Sequence, residues 1–216
     1  MRRSPTSGGR RSPARRRPQH RRYLLVCEGR TEVTYFKHLS KRMGGSVILR
    51  ALSDHPDPRR VVQAALRERD RDRRAAEQAG DPAEVYDGVW AVVDIDTHPH
   101  LREAIASAKK AGIAVALSGP CFETWLILHL ENRTASFPTS KQAKAHWATL
   151  VEPGRTTDQQ FARLSGKVLI ALDRANTLAA RHDTNNVPRH ERNPSSEIGN
   201  IISVICDSAH VDLKTL

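Results

Sequence analysis

Short apolar runs alternating with amphipathic stretches constrain this chain more than any other feature. Tyr23-Leu24-Leu25-Val26-Cys27 has the length and texture of a buried strand. Residues 31–43 follow with Val33, Phe36, Leu39 and Met43 at helical spacing, and Gly44-Gly45 ends that pattern. The alternation repeats. A strand is predicted over 46–52 and a long charged helix over 59–79, with Pro58 near its first turn. A third strand over 89–93 precedes a helix over 100–111 that Gly112 caps, and a fourth strand over 113–117 precedes an apolar helix over 122–130. Strands separated by single helices make an α/β domain whose sheet is mainly parallel and four-stranded.

Beyond Glu131 the texture becomes polar, with helices expected over 141–150 and 166–181 and a loop over 182–193. Ser195 or Ser196 is a candidate N-cap for the apolar segment 198–205, with Glu197 in its first turn. This gives three parts: an Arg-rich tail over 1–22, an α/β core over 23–131, and a helical extension over 132–216 that packs on the core.

The charge is unevenly placed. Of 35 Lys and Arg residues, nine arginines lie in Met1–Cys27, where there is no acid; the remainder holds 26 basic and 24 acidic residues. The net charge of +11 therefore belongs mainly to the tail, and the body is nearly neutral. The tail has too few apolar residues to offset the entropy of ordering, so disorder is expected, and its arginines suit a phosphate backbone. No apolar run approaches the roughly 18 to 20 residues that span a bilayer. The N-terminus has no apolar stretch of the secretory type. Cys27, Cys121 and Cys206 form no C-x-x-C pair, and Cys27 reads as a buried thiol. A reducing, cytoplasmic setting with no membrane partner is the expectation.

Ligands of parallel sheets sit beyond the carboxyl ends of the strands, and acids gather there. Glu28 follows the first strand, with Gly29 allowing a tight turn, and Glu32 lies one helical turn further. Asp94 and Asp96 follow the third strand and, two residues apart in extended chain, point to one side. Such a set is economically explained by a hard divalent ion with oxygen ligands, Mg²⁺ or Mn²⁺. The alternative from spacing is a loop cap at Asp94 and an ion pair from Asp96 to Arg30 or Arg102. His98 and His100 read as solvated, and Trp90, Phe122 and Trp125 as core.

Four blocks carry a resemblance. Cys27-Glu28-Gly29-Arg30-Thr31-Glu32 with Tyr35-Phe36, the tryptophan-led strand from Trp90 to Asp94-Ile95-Asp96, the run from Ser118-Gly119-Pro120-Cys121-Phe122-Glu123 to Trp125 and His129, and Asn193-Pro194-Ser195 occur in order. Together they resemble the RloB-like family. Gly119 departs from that pattern, which usually has asparagine there.

The resemblance implies a Toprim-type fold related to OLD-type nucleases, with Glu28, Asp94 and Asp96 as the Toprim acids and Glu32 as a further metal ligand. It also implies a Mg²⁺-dependent endonuclease acting on DNA or RNA, in an antiphage or restriction locus and beside an AAA-type ATPase. Glu123 is a further candidate acid, and Lys167 a candidate cation for the transition state. A non-catalytic module binding nucleic acid or the ATPase is the alternative. Phosphatase chemistry of the haloacid-dehalogenase type is disfavoured, because there the D-x-D ends the first strand.

Overall fold

The computed structural model describes residues 20–53, 57–80, 85–95, 98–151 and 157–216. The elements run β1 (Arg21–Cys27), α1 (Arg30–Arg42), β2 (Val47–Leu52), α2 (Pro58–Ala79), β3 (Gly88–Asp94), α3 (Leu101–Ala111), β4 (Ala114–Gly119) and α4 (Glu123–Leu130). They continue with α5 (Ser140–Leu150), α6 (Thr157–Ala162), α7 (Val168–Thr184), β5 (Ser195–Ser196) and α8 (Ile198–Ala209). The alternation expected from the first half is present, with bounds shifted by one or two residues. The short α6 lies in a stretch without apolar periodicity and was not expected.

The sheet order is β2-β1-β3-β4-β5. The first four strands are parallel, and β5 is antiparallel to β4. The sheet thus has five strands rather than the four expected. The fifth is only two residues long and polar, so no hydrophobic pattern marks it. Ser196 faces Ser118 and Ser195 faces Gly119 in its register. Ser195 and Ser196 are therefore strand residues, and Glu197 occupies the N-cap position of α8. Residues 132–216 contribute to the sheet as well as to the helices covering it.

β1 lies inside the sheet, between β2 and β3, and is buried on both faces. Tyr23, Leu25 and Cys27 face a large core shared with α1, α4, α5, α7 and α8, whereas Leu24 and Val26 face a smaller one under α2 and α3. That is the period-two alternation of a strand in a doubly covered sheet. The strand begins two residues earlier than the hydrophobic pattern indicates. Arg21 donates to Asp87 Oδ1 at 2.7 Å, and the Arg22 backbone N–H to Asp87 Oδ2 at 2.8 Å. These bonds hold two arginines assigned from sequence to the tail; residues 1–19, where the expected disorder falls, lie outside the described residues.

Local signals account for the helix ends. Asp57 accepts from the Arg59 N–H at 2.8 Å with Pro58 in the first turn of α2, and Gly80 and Gly112 end α2 and α3 at positive φ of 65° and 66°. The outer edge of β4 is covered in an unusual way. The Glu197 backbone N–H donates to the Leu117 carbonyl at 2.9 Å, and the Glu197 carboxylate accepts from the Leu117 N–H at 2.8 Å. Arg189 pairs with that carboxylate and donates to the Val115 carbonyl. The Asn193 side chain bonds both backbone groups of Phe137, at 3.1 and 2.7 Å, much as a neighbouring strand would.

Candidate functional site

β1, β3 and β4 are adjacent and parallel, so their carboxyl ends open at one edge of the sheet. Each end leads into a residue of the motif blocks: Glu28 after β1, Asp94 closing β3, and the Gly119–Phe122 turn after β4. The Asp94 backbone N–H donates to Glu28 Oε1 at 3.3 Å, bridging the first two ends. Glu32 and Glu123 arrive from the first turns of α1 and α4, where the helix dipole favours a carboxylate. Both are almost wholly buried.

The turn at Gly29 has a different reason from the one sequence suggests. Its φ of −124° is ordinary extended backbone. The close contact is with a side chain: a Cβ there would lie 2.8 Å from Glu32 Oε2, so Glu32 would have to shift. Glu32 folds back so that its Oε1 accepts from the Gly29 N–H at 3.2 Å. The "E-G" pair therefore seats Glu32 against the end of β1.

Electrostatics tie the four acids together. The Asp94 carboxyl is pushed well above the usual carboxylate range, first by burial and then by the charges of Glu32, Glu28 and Glu123. Glu32 is raised as well, by burial first, with Glu123 adding to it. The Cys27 and Cys121 thiols are held up by burial and by the same acids, which keeps them protonated and inert. A cation acting on the cluster is Lys144 of α5. Partial burial works against its charge, but Glu123, Asp94 and Glu32 outweigh that and raise its pKa.

Of the residues singled out from sequence, Glu28, Glu32, Asp94 and Glu123 are brought together. Asp96 lies outside the described residues. Lys167 is placed elsewhere, at the N-terminus of α7, where its charge acts on His129. Lys144 was missed because nothing in the 141–150 pattern distinguishes it from a solvated helix face; only the packing of α5 beside α4 brings it near. His100 pairs with Glu103 at 3.4 Å, and Arg102 with Glu191 at 2.9 Å. Phe122 and Trp125 are core, as expected, but Trp90 is only half-buried.

The remaining motif residues brace this arrangement. Burial lowers the His129 imidazole to about 4, so it is neutral. Its Nδ1 donates to the Trp125 carbonyl at 2.9 Å, and its Nε2 lies 3.4 Å from the Tyr35 hydroxyl, linking α4 to α1. The late block reaches the third through β5, with Ser118 Oγ and Ser196 Oγ 3.3 Å apart. All four blocks thus meet at one end of the fold.

A family model for RloB-like protein matches residues 23–205. The chain belongs to the RloB-like family. No match was found among curated proteins or among solved structures. In this RloB-like chain the matched span takes in every sheet strand from Tyr23 onward and every acid of the cluster.

The donor set tests the divalent ion that the resemblance implies. Glu28, Glu32, Asp94 and Glu123 offer only oxygen, as Mg²⁺ and Mn²⁺ prefer, and their mutual repulsion is the condition a cation relieves. The chemistry of the donors fits, although among the described residues no three His, Cys, Asp or Glu side chains form a ready-made coordination group. Among the same residues no helix is long and apolar enough to cross a membrane.

Proposed function

We propose that this RloB-like protein is a metal-dependent nuclease hydrolysing phosphodiester bonds of DNA or RNA, with the acid cluster as its active site. The observation that carries this reading is the electrostatic condition of Asp94: a carboxyl at a strand end, held among three others, with its pKa driven well up. Acids perturbed by desolvation and by specific charged neighbours are a physical mark of candidate functional sites. The finer reading of the sheet is a Toprim-type core, with Glu28 and Asp94 as its acids and Asp96 beside them.

Glu28, Glu32, Asp94 and Asp96 would hold Mg²⁺ or Mn²⁺, with Glu123 next to them. The ion, when bound, supplies positive charge at the scissile phosphate and lowers the pKa of water. The protein's own groups do the rest. Where Glu28 serves as general base instead of metal ligand, it takes the proton of the attacking water as the water oxygen bonds to phosphorus; the opposite P–O bond breaks and the leaving oxygen takes a proton from solvent. Lys144 stays protonated and sets a cation beside the phosphate oxygens. The arginines preceding β1 raise affinity for nucleic acid without entering the reaction. A role in antiphage defence beside an AAA-type ATPase belongs to the same reading.

The test is cleavage of labelled DNA and RNA with Mg²⁺ or Mn²⁺ by the wild type, Asp94→Ala and Glu28→Gln. Metal-dependent cleavage in the wild type alone supports the site. Equal activity in all three, or binding without cleavage, removes it.

Lys144 and Lys167 make a paired prediction. Lys144→Ala is expected to slow cleavage by about tenfold to a hundredfold, below the effect of an enclosed donor because Lys144 is exposed. Lys167→Ala is expected to leave the rate unchanged. Single-turnover rates of the two variants check this, and the reverse ranking would restore Lys167 to the site.

A further inference from the structure

The opposite end of the sheet carries a second arrangement that the acid cluster does not use. A cleft of about 460 Å³ opens at the amino ends of β1, β3 and β4. That is within the range of sites for small organic ligands, roughly 300 to 1,000 Å³. The strands are about seven residues long, so the cleft lies roughly 20 Å from the carboxylates.

Its walls combine guanidinium groups with aromatic rings. Arg21, Arg69 and Arg73 line it together with Tyr23, Tyr86 and Trp90. Trp90 is the half-buried tryptophan, and its ring lies across Gly88: a Cβ at position 88 would come within 2.4 Å of the indole. Tyr23 stands 5.8 Å from that ring, centroid to centroid, and its hydroxyl is fixed by Ser208. Arg22 sits 4.8 Å above the Tyr86 ring.

The charges around the cleft do not cancel. Arg21 is paired with Asp87, Arg22 with Asp72, and Arg69 with Asp70 and the Ala111 carbonyl. Arg73 is exposed and has no ion-pair partner among the described residues. The surplus positive charge therefore stands on one arginine of a cleft that Trp90 also lines. The arginine-rich sequence before Arg21 joins the fold at the same rim.

We propose that this cleft binds a nucleoside phosphate, with the base against Trp90 and the phosphate on Arg73. Guanidinium groups suit phosphate oxygens, and an indole suits the face of any base. The same chemistry serves a free nucleotide or one nucleotide unit of a bound strand. The site is independent of cleavage at the other end of the sheet.

The experiment is a titration of the full chain, in EDTA so that divalent ions play no part, by calorimetry and tryptophan fluorescence. The probes are adenosine monophosphate, a short single-stranded oligodeoxynucleotide and inorganic phosphate. Trp125 and Trp147 are buried, so quenching on binding should come from Trp90 and vanish in Trp90→Phe while heat is still released. Arg73→Ala, at an exposed position, is expected to weaken binding about tenfold with the fold intact. Saturable binding of the mononucleotide, no weaker than that of the oligonucleotide, assigns a free nucleotide. Tighter oligonucleotide binding that the mononucleotide displaces assigns a unit of a strand. No saturable binding of either, an unchanged affinity in Arg73→Ala, or phosphate binding as tightly as the mononucleotide overturns the proposal.

Discussion

Asp94→Asn is expected to lower metal-dependent cleavage by about a hundredfold or more and, in the same protein, to raise thermal stability in the absence of metal. The two effects share one cause. Asp94 sits among Glu28, Glu32 and Glu123, and its folded carboxyl is raised above its ordinary 3.8. A raised carboxyl means that the folded state holds a proton more tightly than the unfolded chain. Below the unfolded value both states are protonated and the site imposes no penalty. As pH rises through the raised folded value, stability is lost, and the loss is complete above it.

Glu32 is shifted in the same direction and adds to this trend. The metal-free protein is therefore expected to lose stability from acidic to neutral pH through this cluster, and Mg²⁺ or Mn²⁺ to restore it at neutral pH by binding only the folded state. Asparagine keeps the shape and removes the charge. Melting curves across pH, with EDTA and with each metal, would check the stability arm, and cleavage rates the other. An Asp94→Asn variant that is both fully active and unstabilised would remove Asp94 from the site.

Gly119→Asn is the second large effect, and it lies in the fold. Asparagine is the residue that the resemblance leads one to expect here, so the change looks conservative from sequence. In this chain a Cβ at position 119 would stand 1.9 Å from the Arg192 carbonyl oxygen and 2.9 Å from Ser195 Oγ. The first contact is with backbone, which cannot swing aside as a side chain can. The strand pairing of Gly119 with Ser195 would have to open. Overpacking of this kind costs about 3 kcal/mol. Chemical denaturation of Gly119→Asn and Gly119→Ala would show it. An unchanged midpoint in both would mean that the segment before β5 moves freely.

Much of this fold is legible because β1 to β4 are short apolar runs punctuated by helices and glycines, and a parallel sheet buries such runs on both faces. The acids at the strand ends were readable for the same reason: topology converts the end of a strand into a place. What escaped depends on contacts between distant residues. β5 is two serines whose pairing is set by where α7 returns the chain. Lys144 lies on a helix with no motif, and the partial exposure of Trp90, which packs against the large core, does not show in its apolar sequence neighbours. The space required at Gly119 is invisible to a reading that grants glycine only conformational freedom.

The pairing of Arg189 with Glu197 has a consequence outside chemistry. A parallel sheet that ends in a strand with free backbone groups invites another chain to add to it. Here β5 covers only the last residues of β4, and two oppositely charged side chains occupy the adjoining backbone positions. The safeguard against self-association is thus ionic, and it sits beside the late motif block rather than within the acid cluster. Damage at Glu197 would therefore surface as poor solubility, in a protein whose acid cluster remains intact.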